Sequence, residues 1–275
     1  MSLFDTYVAV DWSASSKPNR GKDSVWIGVS GREPVNPPTR AEATAFVRDL
    51  LRCGRATGRR VLVGFDFPYG YPAGFADLVA PGGEPAWRRV WDLLSERIED
   101  DENNANNRFA VAAGLNRETG GVGPFWGCPP KRAEEELSSK RMSPFPYMRL
   151  SELRQVDRRT PGVQSVWKLY GIGSVGSQSL VGIPRVASLR DDDHLAENSR
   201  VWPFETGWTV PEAQIVHVEI WPALVESSPH AVRDAGQVAG VVAHWQAWDA
   251  SGQLAPLFTP SAAHDAGLEE GWIFG

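Results

Sequence analysis

Short apolar runs alternate along the chain with segments of helical periodicity, and this pattern predicts an α/β fold. Three runs, 6–12, 61–68 and 213–222, have the length and the β-branched content of buried strands. Another strand is predicted over 23–29, and a short one over 33–38, where prolines favour a sheet edge. The sequence therefore predicts a mixed sheet of five strands.

Apolar positions three or four residues apart predict the helices that flank this sheet. One helix is expected directly after Thr39, and another over 85–100. A charged helix is predicted over 131–141, and a final helix with Ser228 as its N-cap and Pro229 at its first position.

The alternation of strands and helices is interrupted between residues 70 and 212. Before this stretch the order is β-β-β-α-β, and after it comes one more strand and helix. No repeat or low-complexity linker separates the two parts. We therefore predict a single domain over 1–275, in which 70–212 is a large insertion between strands 4 and 5.

Composition narrows the class of protein without identifying it. The chain has 275 residues, of which 42% are hydrophobic and 23% charged, as in ordinary globular proteins. No apolar run approaches the ~20 residues that span a bilayer, and the first residues lack a secretory pattern. The two cysteines, Cys53 and Cys128, indicate neither a disulfide framework nor a zinc site. We expect a cytoplasmic protein with no membrane partner.

Charge is unevenly distributed although the net charge is only −6. Residues 131–190 contain eleven Lys or Arg against five Asp or Glu, and residues 213–275 contain one Arg against seven acids. Solvated surfaces would explain both stretches. Alternatively, the basic stretch binds an anionic substrate, with Arg158 and Arg159 among the candidates.

Three carboxylates end apolar runs that otherwise read as buried strands: Asp11, Asp66 and Glu219. If these strands are parallel neighbours, their acids meet at one edge of the sheet. Like charges so close cannot all stay ionised unless a cation lies between them. The pattern thus predicts a divalent-metal site, with Mg²⁺ or Mn²⁺ favoured by hard carboxylate oxygens.

The final helix contributes a fourth acid. Asp234 heads the apolar stripe of that helix, where a carboxylate is costly unless it is paired or bound to a cation. It could instead favour the helix dipole from the first turn.

This layout resembles the ribonuclease H-like superfamily over residues 6–70 and 213–250. Closest are its uncharacterised predicted nucleases, whose acid-x-x-Pro element is similar to Glu219-Ile-Trp-Pro222 and whose last helix is similar to RDAGQVAGVVAHW. The resemblance implies that Asp11, Asp66 and Asp234 are metal ligands, with Gln237 as an alternative to Asp234. Glu219 would be a further ligand or the general base.

The activity that this resemblance implies is phosphoester hydrolysis of nucleic acid or of a nucleotide-like, phosphorylated small molecule. Two cations ~4 Å apart and bridged by Asp11 would activate a water and stabilise the leaving oxygen. Residues 11–17, DWSASSK, also resemble the first phosphate loop of actin-like ATPases and sugar kinases, with Lys17 near the nucleotide. That loop normally has glycine where this chain has Ser13. A phosphotransferase and a non-catalytic phospholigand-binding module therefore remain alternatives.

A glycine- and serine-rich stretch, KLYGIGSVGSQSLVGIP, offers backbone N–H groups to an anion. It matches the dinucleotide-binding fingerprint formally, but no clear strand precedes it, and Gly182 and Pro184 leave room for barely two helical turns. We predict a phosphate- or substrate-binding loop, and the alternative is a flexible surface loop. The candidate side chains are Lys168, Ser174, Ser177 and Gln178.

Overall fold

A computed structural model describes residues 2–133, 135–143, 145, 150–262 and 265–275. It is an α/β fold with a five-stranded mixed sheet, as predicted. The strands are β1 (Thr6–Asp11), β2 (Trp26–Val29), β3 (Val61–Phe65), β4 (Ser199–Val201) and β5 (Ile215–Glu219). Their order is β2-β1-β3-β5-β4, with β2 antiparallel to β1 and every other neighbouring pair parallel.

Helices cover both faces of the sheet. They are α1 (Arg40–Ala56), α2 (Phe75–Val79), α3 (Ala86–Arg97), α4 (Arg108–Glu118), α5 (Gln155–Arg159), α6 (Val175–Arg190), α7 (Arg233–Ala250) and α8 (Gly267–Glu270). One apolar cluster joins a face of the sheet to α1, α3, α4 and α6, and a second joins the opposite face to α7. Alternation along each strand supplies both clusters, because successive side chains point to opposite faces.

Two strand predictions need correction. The predicted strand over 33–38 is reduced to a single bridge between Val35 and Ile27, since prolines cannot donate to a ladder. The strand at the other edge is β4, which lies inside the stretch that we interpreted as an insertion. It pairs with β5, where the buried His217 bonds through Nε2 to Ser199 Oγ at 2.8 Å. Burial lowers the pKa of His217 to about 3, so it is a neutral core residue.

The helix predictions differ in outcome. Helix α1 begins where expected, and Thr39 caps it by accepting a hydrogen bond from the Glu42 N–H at 3.2 Å. Helix α7 begins at Arg233 instead of Pro229, because Ser228 N–H bonds to Gly236 O and the preceding segment runs alongside the first turn. The described part of 131–141 contains only the end of a 3₁₀ turn, Pro130–Arg132.

No helix among the described residues is long and apolar enough to cross a membrane.

Candidate active site

The carboxyl ends of the parallel strands β1, β3 and β5 open into a cleft of about 1140 Å³. Ligands of open α/β sheets bind at this edge, outside the carboxyl ends of the strands. All four acids predicted from the sequence line the cleft: Asp11, Asp66, Glu219 and Asp234. Helix α7, packed against β1 and β2, brings Asp234 to the site from its first turn.

Asp11 and Asp66 are neighbours in the sheet. Val10 is in register with Phe65, and Asp66 N–H donates to Val10 O at 2.9 Å, so the two acids leave adjacent strands at the same level. Both are half-buried, and neither carboxylate bonds to or pairs with a described residue. Among the described residues neither carboxylate therefore has an ion-pair partner, and Arg233 acts on Asp11 only from a distance.

The pKa values of Asp11 and Asp66 reflect their burial and the negative charges around them. Burial raises the pKa of Asp11 well above its ordinary value, and Asp66, Asp234 and Asp23 raise it further, against a lowering by Arg233. Burial also raises the pKa of Asp66 to about 7, reinforced by Glu219 and then Asp234. A proton or a cation is needed to hold these acids together.

Asp234 is tied to the loop that follows β1. One oxygen of its carboxylate accepts a hydrogen bond from Asp23 N–H at 2.8 Å, and Asp23 itself has a left-handed backbone with φ of 57°. Gln237, one turn further along α7, also lines the cleft. Asp234 thus lies in the first turn, where it favours the helix dipole, and also lines the cleft beside the acidic cluster.

Glu219 has a different environment from the other three acids. It is buried, and its two oxygens accept hydrogen bonds from Arg154 at 2.6 and 2.7 Å and from Tyr69 N–H at 2.9 Å. Arg154 also pairs with Asp157 at 2.8 Å. Glu219 is in register with Phe65, one residue before Asp66, so the pleat directs it to the other face of the sheet. Glu219 thus has an arginine partner, which it shares with Asp157, whereas Asp11 and Asp66 have no ion-pair partner among the described residues.

The carboxylates of Asp11 and Asp66 are suitable ligands for a divalent cation. Among the described residues no group of three or more His, Cys, Asp or Glu has the spacing of a metal site. Mg²⁺, however, is commonly bound by one or two carboxylates, with waters and substrate phosphate as the other ligands. Asp11 and Asp66 supply such a pair of unpartnered hard oxygen donors.

Four predicted substrate-binding residues line the part of the cleft wall formed by α6 and the segment before it: Lys168, Ser174, Ser177 and Gln178. Three of them already hold the wall together. Lys168 Nζ donates to Gln164 Oε1 at 3.0 Å and to Ile172 O, Ser177 Oγ donates to Leu169 O at 2.6 Å, and Gln178 Nε2 donates to Trp12 O. The Ser174 hydroxyl bonds to no described residue.

The other predicted substrate residues, Lys17, Arg158 and Arg159, do not line the cleft. The loop 13–17 is a serine-rich turn, in which Ser15 Oγ donates to Lys17 O at 2.8 Å and Ser13 Oγ accepts from Ser15 N–H. These bonds occupy the hydroxyls of Ser13 and Ser15, and the Lys17 side chain is exposed.

Sequence reasoning missed Arg108, at the start of α4, which lines the cleft and is only 9% exposed. Its guanidinium donates to Ser177 Oγ at 2.9 Å and to Ser16 Oγ at 3.0 Å, and lies 4.4 Å from the Phe109 ring centroid. The adjacent Asn-rich stretch was the only signal near it in the sequence, and that signal does not indicate burial of a cation.

The length of helix α6 was also underestimated from the sequence. It runs for 16 residues through Gly182 and Pro184, and its N-terminus forms part of the cleft wall. Among the described elements the one directly before the glycine-rich segment is α5 and not a strand, so the dinucleotide-binding fingerprint lacks its required context.

Comparisons with known proteins leave the function to be argued from this geometry. No family model matches the chain, and neither the curated proteins nor the solved structures contain a significant match.

Proposed function

We propose that this protein is a metal-dependent phosphoester hydrolase that acts on nucleic acid or a nucleotide-like substrate. The observation that carries this proposal is the pair Asp11 and Asp66, two adjacent, half-buried carboxylates with raised pKa values and no partner among the described residues. Such a pair is costly to fold unless it serves a cation or a proton.

The arrangement of elements supports a ribonuclease H-like core. The chain starts β-β-α-β, and near its end β5 leads to α7. The expected acids lie on β1, directly after β3 and on α7. The edge strand β4 is an addition to that pattern. The wall built by α4 and α6 also belongs to the stretch 70–212, which gives the proposed insertion a part in forming the cleft.

Asp11 and Asp66 would hold Mg²⁺ or Mn²⁺, with Asp234 beside them. The bound ion would polarise a phosphoryl oxygen and lower the pKa of a water nucleophile. Asp66 holds a proton on part of the molecules near neutral pH, because its pKa is about 7, and it must lose that proton to become a ligand. Burial raises the pKa of Glu219 against the lowering effect of Arg154, whose two hydrogen bonds hold the Glu219 carboxyl group at the edge of this cluster.

A phosphotransferase is the second candidate, since Ser13 and Ser15 line the cleft directly after Asp11, where a nucleotide phosphate loop would lie. It ranks below hydrolysis because the serine hydroxyls are bonded within the turn and Lys17 is outside the cleft.

The test is hydrolysis of bis(p-nitrophenyl) phosphate and of short single- and double-stranded oligonucleotides with Mg²⁺, Mn²⁺ or EDTA. We expect metal-dependent cleavage that falls by roughly a hundredfold or more in Asp11→Asn and Asp66→Asn. Asp193→Asn, an exposed acid outside the cleft, is the matched control and should keep full activity.

Three results would decide against hydrolysis. Equal cleavage by Asp11→Asn and wild type would show that the activity does not depend on the pair Asp11 and Asp66. Mg²⁺-dependent transfer of phosphate from ATP without diester cleavage would favour the phosphotransferase. Metal binding without turnover of any phosphoester, ATP included, would favour a binding module.

A further inference from the structure

We infer that the cleft contains a phosphate subsite separate from its carboxylates, formed by Arg108 and the backbone N–H groups of residues 170–175. The assignment of this phosphate to the substrate rests on the proposed function, whereas the subsite itself is argued from contacts of the described residues alone.

Arg108 is a buried cation without a counter-charge. It is 9% exposed, and no carboxylate of a described residue lies within ion-pair distance of its guanidinium. Its partners are the neutral oxygens of Ser177, Ser16 and Asn106, and its Nη2 donates to no described residue. Buried charges are normally paired, so an unpaired arginine in a cleft wall indicates an anionic ligand.

Other arginines intensify the positive field at this point. Burial lowers the pKa of Arg108 to about 10, and Arg40 and Arg132 lower it further, against a raising effect of the more distant Asp100. Arg40 is neutralised by Asp100, but Arg132 is exposed, and its guanidinium lies 5.7 Å from the centroid of the Phe109 ring that also contacts Arg108. An incoming phosphate would relieve this repulsion.

The loop 170–175 supplies the second half of the subsite. Its six residues all line the cleft, and none of their backbone N–H groups donates to a described residue. Gly171 and Gly173 have φ values of 89° and 71°, a conformation that bulkier residues rarely adopt. The loop leads directly into α6, whose N-terminus carries a partial positive charge.

Two side chains predicted to bind substrate hold this subsite in shape instead. Ser177 Oγ accepts from Arg108 Nε and donates to Leu169 O, which fixes the guanidinium against the first turn of α6. Lys168 Nζ donates to Ile172 O, which fixes the loop. The cleft thus has a cation-binding side and an anion-binding side, as a phosphorylated substrate with a metal cofactor requires.

The experiment is a titration of the full-length chain with inorganic phosphate in EDTA, followed by calorimetry and by amide N–H chemical shifts. We expect saturable binding, with shifts concentrated at residues 170–175. Arg108→Met should weaken binding at least tenfold, while Arg158→Met, an arginine outside the cleft, should bind as wild type does. Phosphate binding should persist in Asp11→Asn, which separates the subsite from the proposed hydrolysis.

Two results would overturn the subsite: no saturable phosphate binding by wild type, or equal affinity in folded Arg108→Met. If that variant does not fold, the wild-type chemical shifts decide, and their absence at 170–175 refutes the assignment.

A dinucleotide with and without a 5′-phosphate distinguishes the two sources of phosphate. Tighter binding of the phosphorylated form, lost in Arg108→Met, assigns a terminal monoester. Equal binding of both forms, weakened in Arg108→Met, assigns a backbone diester. No effect of Arg108→Met on either form contradicts the subsite.

Discussion

Asp11 and Asp66 are two like charges that the sheet places next to each other, although their proximity is unfavourable. Each follows a run of fully buried strand residues, and the parallel register puts the two side by side at the cleft. The strands determine their positions. Burial raises both pKa values, and neighbouring carboxylates raise them further, Asp66 and Asp234 for Asp11, and Glu219 and Asp234 for Asp66. These residues store an unfavourable interaction that a ligand can relieve.

The pKa of Asp66 gives a pH-dependent stability whose sign is fixed. The folded protein binds this proton with a pKa of about 7, against an ordinary value of 3.8, so cation-free protein loses stability as pH rises between those values. Asp66→Asn removes the penalty. The free energy of unfolding of the variant, relative to that of wild type, should therefore grow with pH by an amount that reaches about 4 kcal/mol above about pH 7.

Urea denaturation in EDTA from about pH 4.5 to about pH 8 measures this difference. Asp193→Asn, whose side chain is exposed and unpaired among the described residues, should show no pH-dependent difference from wild type. A difference between Asp66→Asn and wild type that is constant over this range would show that Asp66 has an ordinary pKa.

Individual residues were predictable when they broke a local pattern. Asp11 and Asp66 interrupt apolar runs, so the sequence alone exposes them. Arg108 breaks no pattern, and its burial depends on Ser177 and the start of α6, 69 residues further along the chain. Glu219 was located correctly, but its pairing with Arg154 comes from a segment that no local rule connects to β5.

The position of α6 against the loop after β3 is set by a close approach at Gly182. A Cβ atom at Gly182 would lie 2.4 Å from the ring of Phe67, the residue that follows Asp66. Phe67 cannot easily move, because it packs among the rings of Trp12, Phe65 and Tyr69.

Gly182→Ala should therefore destabilise the protein by about 1–3 kcal/mol. Gly114→Ala is the matched control, because Gly114 lies inside α4 with nothing within 4 Å of its added Cβ. It should stabilise by about 0.5–1 kcal/mol through helix propensity. Urea denaturation of both variants checks the two signs, and equal effects would refute the packing argument.

Elements were predictable where local signals agreed with tertiary packing. Helix α1 has a capping threonine and a regular apolar face, and it forms as expected. Helix α6 contains Gly182 and Pro184, residues that usually end helices, and it continues because packing against the sheet and Phe67 outweighs their low propensity. Strand β4 is only three residues long and carries no periodic signal.

At the scale of the whole molecule, the sheet and the long stretch 70–212 cooperate to build one cleft. The sheet contributes the acids at its carboxyl edge, and α4, α6 and the loop 170–175 contribute the basic wall. The α/β class and the acidic edge could be predicted, because both follow from short repeating patterns. The glycine-rich loop of the basic wall could also be predicted from its composition, but Arg108 could not, since its burial depends on contacts between segments distant in sequence.

The central claim is that Asp11 and Asp66 bind a divalent cation. Calorimetric titration of the full-length protein with Mn²⁺, at about pH 8 where Asp66 is ionised, tests it most directly. We predict saturable binding that weakens at least tenfold in Asp11→Asn and in Asp66→Asn, is unchanged in Asp193→Asn, and is weaker at about pH 6. No binding by wild type, or equal affinity in Asp11→Asn, would contradict the account.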